Sequence, residues 1–170
     1  AERAIIHRSA ALDFAIPAAL DQAGLAATDL GPVDIYSCFP CAVFAAVDSM
    51  QDASRALGDY TLTGGLTFFG GPGNGFAMYN ITAMVDALRQ DPSKPAMVTA
   101  NGGVMSKQAV GIYTATQPNI PYSGDVAKGY VLAPIPIDDA PQGKGRVLSF
   151  VRPAGKDGFG PATLILEMEN

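Results

Sequence analysis

The sequence has few of the side chains that most often carry chemistry. Among its 170 residues there is one histidine, His7, and there are two cysteines, Cys38 and Cys41. Histidine-dependent chemistry therefore has to use His7 or a histidine of another chain. Zinc is not expected, because two cysteines would need two further Cys or His ligands and no such cluster is present.

Charge is also scarce. Charged residues make up 16% of the chain, against about 25% in ordinary domains, so we expect much of this surface to be covered. The net charge is −5 and there is no basic stripe, so nucleic acid is not an expected partner. The longest apolar stretches are far shorter than the roughly 18 residues that a membrane span needs.

The beginning of the chain lacks two common features. Ala1-Glu2-Arg3 contains neither an initiator methionine nor a secretory apolar region. We expect the sequence to be a piece of a longer protein, a processed chain or a separate subunit. Because it has only two cysteines and no secretory signal, we expect a cytoplasmic, reducing location.

Apolar periodicity predicts three helices. The first is capped by Ser9 and ends at Gly24, the second begins at Pro40, and the third runs from Phe76 to Arg89. The second and third are predicted to bury one stripe each. The stripe of the second helix is Val43, Phe44, Val47 and Met50. The stripe of the third helix is Met78, Ile81, Val85 and Leu88.

Short β-branched or aromatic runs predict strands at residues 33–37, 96–100 and 110–113. Residues 66–69 are predicted to be a further extended run. Helices that alternate with strands in this way favour an α/β sandwich. Residues 114–145 are rich in proline and predict an irregular connection, and residues 146–152 and 162–169 alternate as two later strands.

A glycine-rich loop, residues 70–75, precedes the third helix. Glycines let a backbone approach a ligand closely, and a helix N-terminus favours anions or oxyanions. The loop matches neither a P-loop nor the G-x-G-x-x-G pattern. Two interpretations stay open: a substrate-facing loop, or a tight turn that needs glycine for its geometry.

Three segments, in this order, resemble thiolase motifs. Residues 34–40, Asp-Ile-Tyr-Ser-Cys-Phe-Pro, resemble the Asn-Glu-Ala-Phe segment, or His-Asp-Cys-Phe in the sterol-carrier type. Residues 64–74 resemble the segment that ends in Gly-His-Pro, and residues 98–103 resemble the later Cys-x-Gly-Gly-Gly segment. The sequence therefore resembles the thiolase-like proteins, a divergent group of the acetyl-CoA acetyltransferase and thiolase superfamily.

The resemblance implies a domain organisation. Residues 1–113 would be the C-terminal half of a thiolase-type αβαβα sandwich. Residues 114–145 would be the irregular connection, and residues 146–170 the start of a small additional β domain. The nucleophilic cysteine of thiolases belongs to the N-terminal half, which this sequence does not contain.

The catalytic positions of this half depart from the family pattern. Gly71 stands where the Gly-His-Pro histidine is expected, and Thr99 stands at the later cysteine. Tyr36 replaces the asparagine that positions an oxyanion-hole water, and Gln108 replaces a histidine found in some members. A threonine hydroxyl does not shuttle protons comparably near neutral pH, so ordinary thiolase chemistry is not implied.

The resemblance also implies a candidate site for acyl-CoA as substrate, with no covalently bound cofactor and no metal. The catalytic candidates are Cys38 and Asn101. The candidate substrate-binding and CoA-binding residues are Gly71, Gly73, Asn74, Gly102, Gly103 and Gln108. For each residue the alternative is a structural role in a loop or a cap. The expected partners are the missing N-terminal half or a partner subunit, in a homo- or hetero-oligomer.

Three functions remain open from the sequence. The first is part of a coenzyme A-dependent acyltransferase, and the second is a non-catalytic thiolase-like subunit that binds acyl-CoA or supports a partner. The third is a dithiol redox protein, because Cys38-Phe39-Pro40-Cys41 is a C-x-x-C motif before a predicted helix.

Overall fold

A computed structural model describes residues 4–118, 120–122, 126–130 and 136–169. The chain divides into two compact units. One unit is Ser9–Val131, and the other combines Ala1–Arg8 with Leu132–Asn170. The predicted boundaries at residues 113 and 145 stay predictions, and part of the predicted connection lies outside the described residues.

The larger unit is built on a mixed three-stranded sheet. Its strands are β1 (Val33–Asp34), β2 (Ala96–Gly102) and β3 (Lys107–Tyr113), in that order across the sheet. Strand β1 runs parallel to β2, and β2 pairs with β3 in the antiparallel direction. The central strand β2 is therefore the element against which the other two are aligned.

Helices cover both faces of this sheet. Successive side chains along a strand point to opposite faces, so neighbouring residues of β2 pack against different helices. Met97 of β2 packs in one buried cluster with residues of the first two helices. Its neighbours Ala96 and Val98 pack in a second cluster with Met84 and Leu88. The mixed α/β fold predicted from the alternation of elements is therefore confirmed.

Helix α1 (Ala10–Ala23) has the predicted limits. The Ser9 hydroxyl accepts a hydrogen bond from the Leu12 backbone N–H at 3.4 Å, which satisfies a donor that the helix itself leaves free. At the other end Gly24 adopts φ 68°, a left-handed conformation that glycine takes without strain. Leu12, Ile16 and Leu20 are buried at a spacing of four residues.

Helix α2 (Pro40–Met50) begins at the predicted proline, and of the predicted stripe only Met50 is buried. The helix buries small residues at Ala42, Ala45, Ala46 and Ser49, together with Met50. Phe44 is 52% exposed, while Val43 and Val47 are only partly buried. The helix turns its alanines inward because α1 packs close against it, and a phenylalanine on that face would need more room.

The predicted extended run at residues 66–69 is also wrong. These residues form a single helical turn, α3 (Leu66–Phe69). Glycines with φ of 75° and 76° bracket the turn at Gly65 and Gly70, and the Gly70 N–H donates to the Leu66 carbonyl at 2.8 Å. The two glycines reverse the chain on both sides, which outweighs the β propensity of four residues.

Helix α4 (Phe76–Gln90) occupies the predicted range, with a different buried stripe. Its buried residues are Phe76, Asn80, Met84 and Leu88. Of the predicted stripe only Leu88 is buried, and Met78 is 62% exposed. The helix therefore turns an asparagine toward the interior and a methionine outward, which a search for apolar periodicity cannot predict.

The smaller unit contains the two predicted late strands. Strand β4 (Gly145–Val151) pairs antiparallel with β7 (Thr163–Met168), with a bulge between Val147 and Ser149. Between them lies a short hairpin formed by β5 (Ala154–Gly155) and β6 (Gly158–Phe159).

Candidate functional site

The site is built around the carboxyl end of β1, and a buried aspartate anchors the loop beside it. Asp34 is completely buried. One carboxylate oxygen accepts the Thr63 backbone N–H at 3.0 Å, and the other accepts the Thr61 hydroxyl at 3.3 Å. Burial raises the pKa of Asp34 above its usual range, and the hydrogen bonds from Thr63 and Thr61 oppose that rise.

Ser37 then fixes the turn that enters the glycine-rich loop. Its hydroxyl oxygen accepts the Leu66 backbone N–H at 3.1 Å. A Cβ atom on Gly65 would collide with that same oxygen. Glycine is therefore required at residue 65 both for its positive φ and for this close approach.

Tyr36 connects β1 to the central strand and to α4. Its backbone N–H donates to the Thr99 side-chain oxygen at 3.0 Å, and its ring stacks on Phe76 with the centroids 5.0 Å apart. Its hydroxyl donates to the Gly73 carbonyl at 3.4 Å. Tyr36 thereby ties the glycine-rich loop to the sheet, and Thr99 is engaged in that structural bond.

Three side chains form a hydrogen-bonded row across β2 and β3. Gln108 donates from Nε2 to Asn101 Oδ1 at 3.0 Å, and Asn101 donates from Nδ2 to Cys38 Sγ at 2.9 Å. Asn101 and Gln108 are direct partners in the antiparallel register. The row, Cys38–Asn101–Gln108, orients the Asn101 amide, since its oxygen faces one partner and its nitrogen the other.

A pocket of about 240 Å³ adjoins this row. Five predicted site residues line it: Gly73, Asn74, Asn101, Gly102 and Gln108. Tyr36, Lys107 and three alanines, Ala77, Ala100 and Ala109, complete the lining. Two strand ends, the glycine-rich loop and the start of α4 therefore meet at one small cavity.

The remaining predicted residues lie outside the lining of this pocket. Gly71 is exposed in the glycine-rich loop, and Gly103 lies in the exposed turn between β2 and β3 with φ 63°. Cys38 is partly buried and reaches the pocket through Asn101. The functional roles proposed for these residues stay predictions.

The turn between β2 and β3 contains an unusual methionine. Met105 has φ 55° although it is not glycine, and it is buried in the main core cluster. Its carbonyl accepts the Ser9 hydroxyl at 3.5 Å. Side-chain burial thus holds a left-handed backbone that bulky residues rarely adopt, and it fixes the turn that carries Gly103.

The second cysteine faces a different environment. Cys41 is exposed, and its sulfur lies 3.9 Å from the Met105 sulfur. Both cysteines are free thiols, so the dithiol redox hypothesis stays a prediction. In the part of the chain that the structure describes, no three His, Cys, Asp or Glu side chains gather as metal ligands would.

A larger groove of about 810 Å³ lies elsewhere on the same unit. It runs along the end of α1 and the outer strand β3, and its lining includes Gly24, Lys94 and Tyr113. None of the residues predicted to form the site is among those that line it. The candidate site is therefore the smaller pocket, where the motif residues meet.

Comparison with known proteins decides the family. No family model and no curated protein matches the sequence significantly. A solved structure does match: a monomeric SCP2-thiolase-like protein type 1 from Mycobacterium smegmatis, with a TM-score of 0.74 and 33% identity. The match covers 97% of this chain. This chain is a partial thiolase-like domain.

The thiolase-like domain spans 40% of the length of the Mycobacterium smegmatis protein. The family resemblance inferred from the three ordered motifs is thereby confirmed. Among the described helices of the domain, none is long and apolar enough to cross a membrane.

Besides the three alanines, sequence reasoning did not select Tyr36 and Lys107, which also line the pocket of this thiolase-like domain. Tyr36 enters only as the replacement for an asparagine, and Lys107 is not among the candidates. A signal for Tyr36 existed, since it lies in the predicted strand at residues 33–37, within the first of the three motif segments. Lys107 carries no such signal, because only its register beside Gln108 at the start of β3 brings it to the pocket.

Proposed function

We propose that this chain is part of a coenzyme A-dependent acyltransferase of the thiolase superfamily that acts on acyl-CoA thioesters. The observation that carries the proposal is the row Cys38–Asn101–Gln108 beside a small pocket, in a chain that is a thiolase-like domain. The row places a thiol next to oriented amide groups, which suits a thioester carbonyl that develops negative charge.

In this proposal Cys38 and Asn101 act at the reacting end of the substrate. Gly73, Asn74, Gly102 and Gln108 bind the thioester or the coenzyme A moiety around it. Gly71 and Gly103 contribute backbone N–H groups from the neighbouring loops. A nucleophile attacks the acyl carbon as the C–S bond breaks, coenzyme A leaves as a thiol with the proton that the nucleophile gives up, and the acyl group then passes from the nucleophile to an acceptor. The initial nucleophile would come from an N-terminal half.

The proposed architecture follows the family. Residues 1–113 would be the C-terminal half of an αβαβα sandwich, residues 114–145 a connection, and residues 146–170 the start of a β appendage. Large apolar side chains are exposed on three helices, at Phe44, Phe68 and Met78. In this proposal an N-terminal half or another subunit would cover these side chains, since contiguous exposed apolar patches mark interaction sites.

The experiment is titration calorimetry of the protein with acetyl-CoA, followed by an assay of the coenzyme A that the intact protein, with its N-terminal half, releases from acetyl-CoA. We expect binding, and we expect Cys38→Ser to lower any turnover strongly while Cys41→Ser leaves it close to the wild type. The two variants are matched, because each changes one thiol of the same C-x-x-C motif. Absence of acyl-CoA binding would exclude the proposal.

A second candidate is a non-catalytic thiolase-like subunit that binds acyl-CoA. It is favoured by two observations at the family's catalytic positions. Gly71 has no side chain, and the Thr99 hydroxyl oxygen is engaged by the Tyr36 N–H. This candidate predicts binding without thiolysis or condensation, so robust turnover by the purified protein would rule it out.

A further inference from the structure

We infer that the small pocket accepts a short acyl group that ends in a carboxylate. This inference rests on the proposed function and names the class of acyl-CoA thioester. It concerns the pocket lined by Tyr36, Asn74, Asn101, Lys107 and Gln108.

The size of the pocket limits the length of the acyl group. Its volume is about 240 Å³, below the roughly 300–1,000 Å³ of pockets that hold drug-sized ligands. The aliphatic side chains in its lining are three alanines, Ala77, Ala100 and Ala109. Their methyl groups accommodate a short methylene chain, and a long fatty chain would extend beyond the described lining.

The charge of the lining favours a particular chemical group at the end of the acyl chain. Among the described residues that line the pocket, Lys107 is the only charged one, and neither aspartate nor glutamate is present. Asn74 adds amide N–H donors, and Gln108 retains one N–H besides the one it donates to Asn101. A carboxylate accepts several hydrogen bonds at once and is favoured by a lysine ammonium, whereas a terminal methyl group gains from neither.

The position of the pocket indicates the acyl end of the thioester instead of the nucleotide end of coenzyme A. Asn101 lines the pocket, and the same amide donates to the Cys38 sulfur. One side chain therefore separates the cavity from the thiol proposed to act at the thioester. The phosphates of coenzyme A lie at the far end of its pantetheine arm, away from the reacting carbonyl.

The test compares two thioesters that have the same number of carbons, succinyl-CoA and butyryl-CoA, by titration calorimetry with the wild-type protein. They differ in a terminal carboxylate against a terminal methyl group. We expect succinyl-CoA to bind about two- to fivefold more tightly, since Lys107 is exposed and ion pairs at exposed sites are weak. The preference should decrease at high ionic strength.

Two lysine variants locate the preference. Lys107→Gln should weaken succinyl-CoA binding more than butyryl-CoA binding and so remove the preference. Lys94→Gln should retain it, because Lys94 lines the separate larger groove. Free coenzyme A is the third ligand, and Lys107→Gln should not weaken its binding. If Lys107→Gln weakened free coenzyme A as much as succinyl-CoA, the lysine would contact a phosphate and the inference would be overturned.

The outcomes separate this inference from the proposed function. Equal binding of the two thioesters, or tighter binding of butyryl-CoA, overturns the carboxylate preference while the acyl-CoA function stands. A preference that persists in Lys107→Gln also overturns it. If no thioester binds at all, the proposed function fails, and the inference fails with it.

Discussion

The Asn101 side-chain amide donates a hydrogen bond to the Cys38 sulfur across 2.9 Å, although the two residues are 63 positions apart in the chain. Gln108 holds the other end of that amide. The amide therefore cannot turn away from the sulfur without losing two hydrogen bonds, and Cys38 has a fixed orientation at the edge of the pocket.

Removal of this restraint should make Cys38 more accessible to alkylation. In the wild type the exposed Cys41 should react with iodoacetamide before the partly buried Cys38. In Asn101→Ala we expect the rate at Cys38 to rise about two- to fivefold, the equivalent of one lost hydrogen bond. Peptide mass spectrometry of partly labelled protein measures both thiols at once.

Gln108→Ala serves as the graded control for that experiment. Gln108 acts on Cys38 only through Asn101, so its loss should have a smaller effect than the loss of Asn101 itself. The Cys41 rate should stay constant in both variants. An unchanged Cys38 rate in Asn101→Ala would show that the amide does not restrain the sulfur.

The contribution of Asp34 to stability should depend on pH. Its pKa is raised in the folded state, so it contributes stability that is present below its unfolded pKa of about 3.9 and is lost as the pH rises through the folded value. Asp34→Asn removes this dependence. The destabilisation caused by Asp34→Asn should therefore be larger near pH 4 than at neutral pH, as measured by urea unfolding.

Asp91 provides the control of opposite sign. The Ser93 hydroxyl and backbone N–H lower the pKa of Asp91, so its contribution to stability is present above the unfolded pKa and is lost as the pH falls. The destabilisation caused by Asp91→Asn should increase as the pH rises from about 3 to 5. Parallel pH profiles for the two variants would contradict the assigned environment of Asp34.

A stability gain is expected from Asn80→Leu. Asn80 is completely buried on α4, and within the described residues neither its Nδ2 nor its Oδ1 has a hydrogen-bond partner. An unsatisfied buried amide costs about 1–3 kcal/mol, and leucine fills a similar volume. We expect the free energy of unfolding to rise by about 1–2 kcal/mol, whereas Asn80→Ala leaves a cavity. A clear loss of stability in Asn80→Leu would reveal a partner for the amide.

The features predictable from the sequence were those with local signals. Ser9 and Gly24 define the ends of α1 because capping depends on residues next to each other in the chain. Helix α4 was predicted from apolar periodicity, but its buried face was not correctly predicted, since Asn80 faces inward and Met78 outward. Apolar periodicity assumes that every polar residue faces water, and Asn80 violates that assumption.

The candidate site depends on pairing between distant segments. The motif order identified the segments that contain Cys38 and Asn101, and the structure joins these residues because β1 and β2 are neighbouring parallel strands. The sequence does not show that Gln108 lies opposite Asn101. That register depends on the geometry of the hairpin turn between β2 and β3, where Met105 adopts a positive φ. The same hairpin brings Lys107 to the pocket.

That hairpin depends on Met105, and two substitutions should measure how strongly. Met105 is buried but has φ 55°, a conformation that costs an L-residue roughly 1–2 kcal/mol and glycine little. Both Met105→Ala and Met105→Gly lose the buried side chain, at about 2–5 kcal/mol. Because glycine also relieves the strained backbone, Met105→Gly should be about 0.5–1 kcal/mol more stable than Met105→Ala.

Met97 supplies the matched comparison for this last prediction, because it is a buried methionine of the same core cluster inside β2. There the order should reverse, since glycine inside a strand loses more conformational entropy than alanine on folding. Urea unfolding of the four variants gives the two differences directly. If alanine were the more stable replacement at both positions, the Met105 backbone would not be strained, and the turn would be held by its side-chain packing alone.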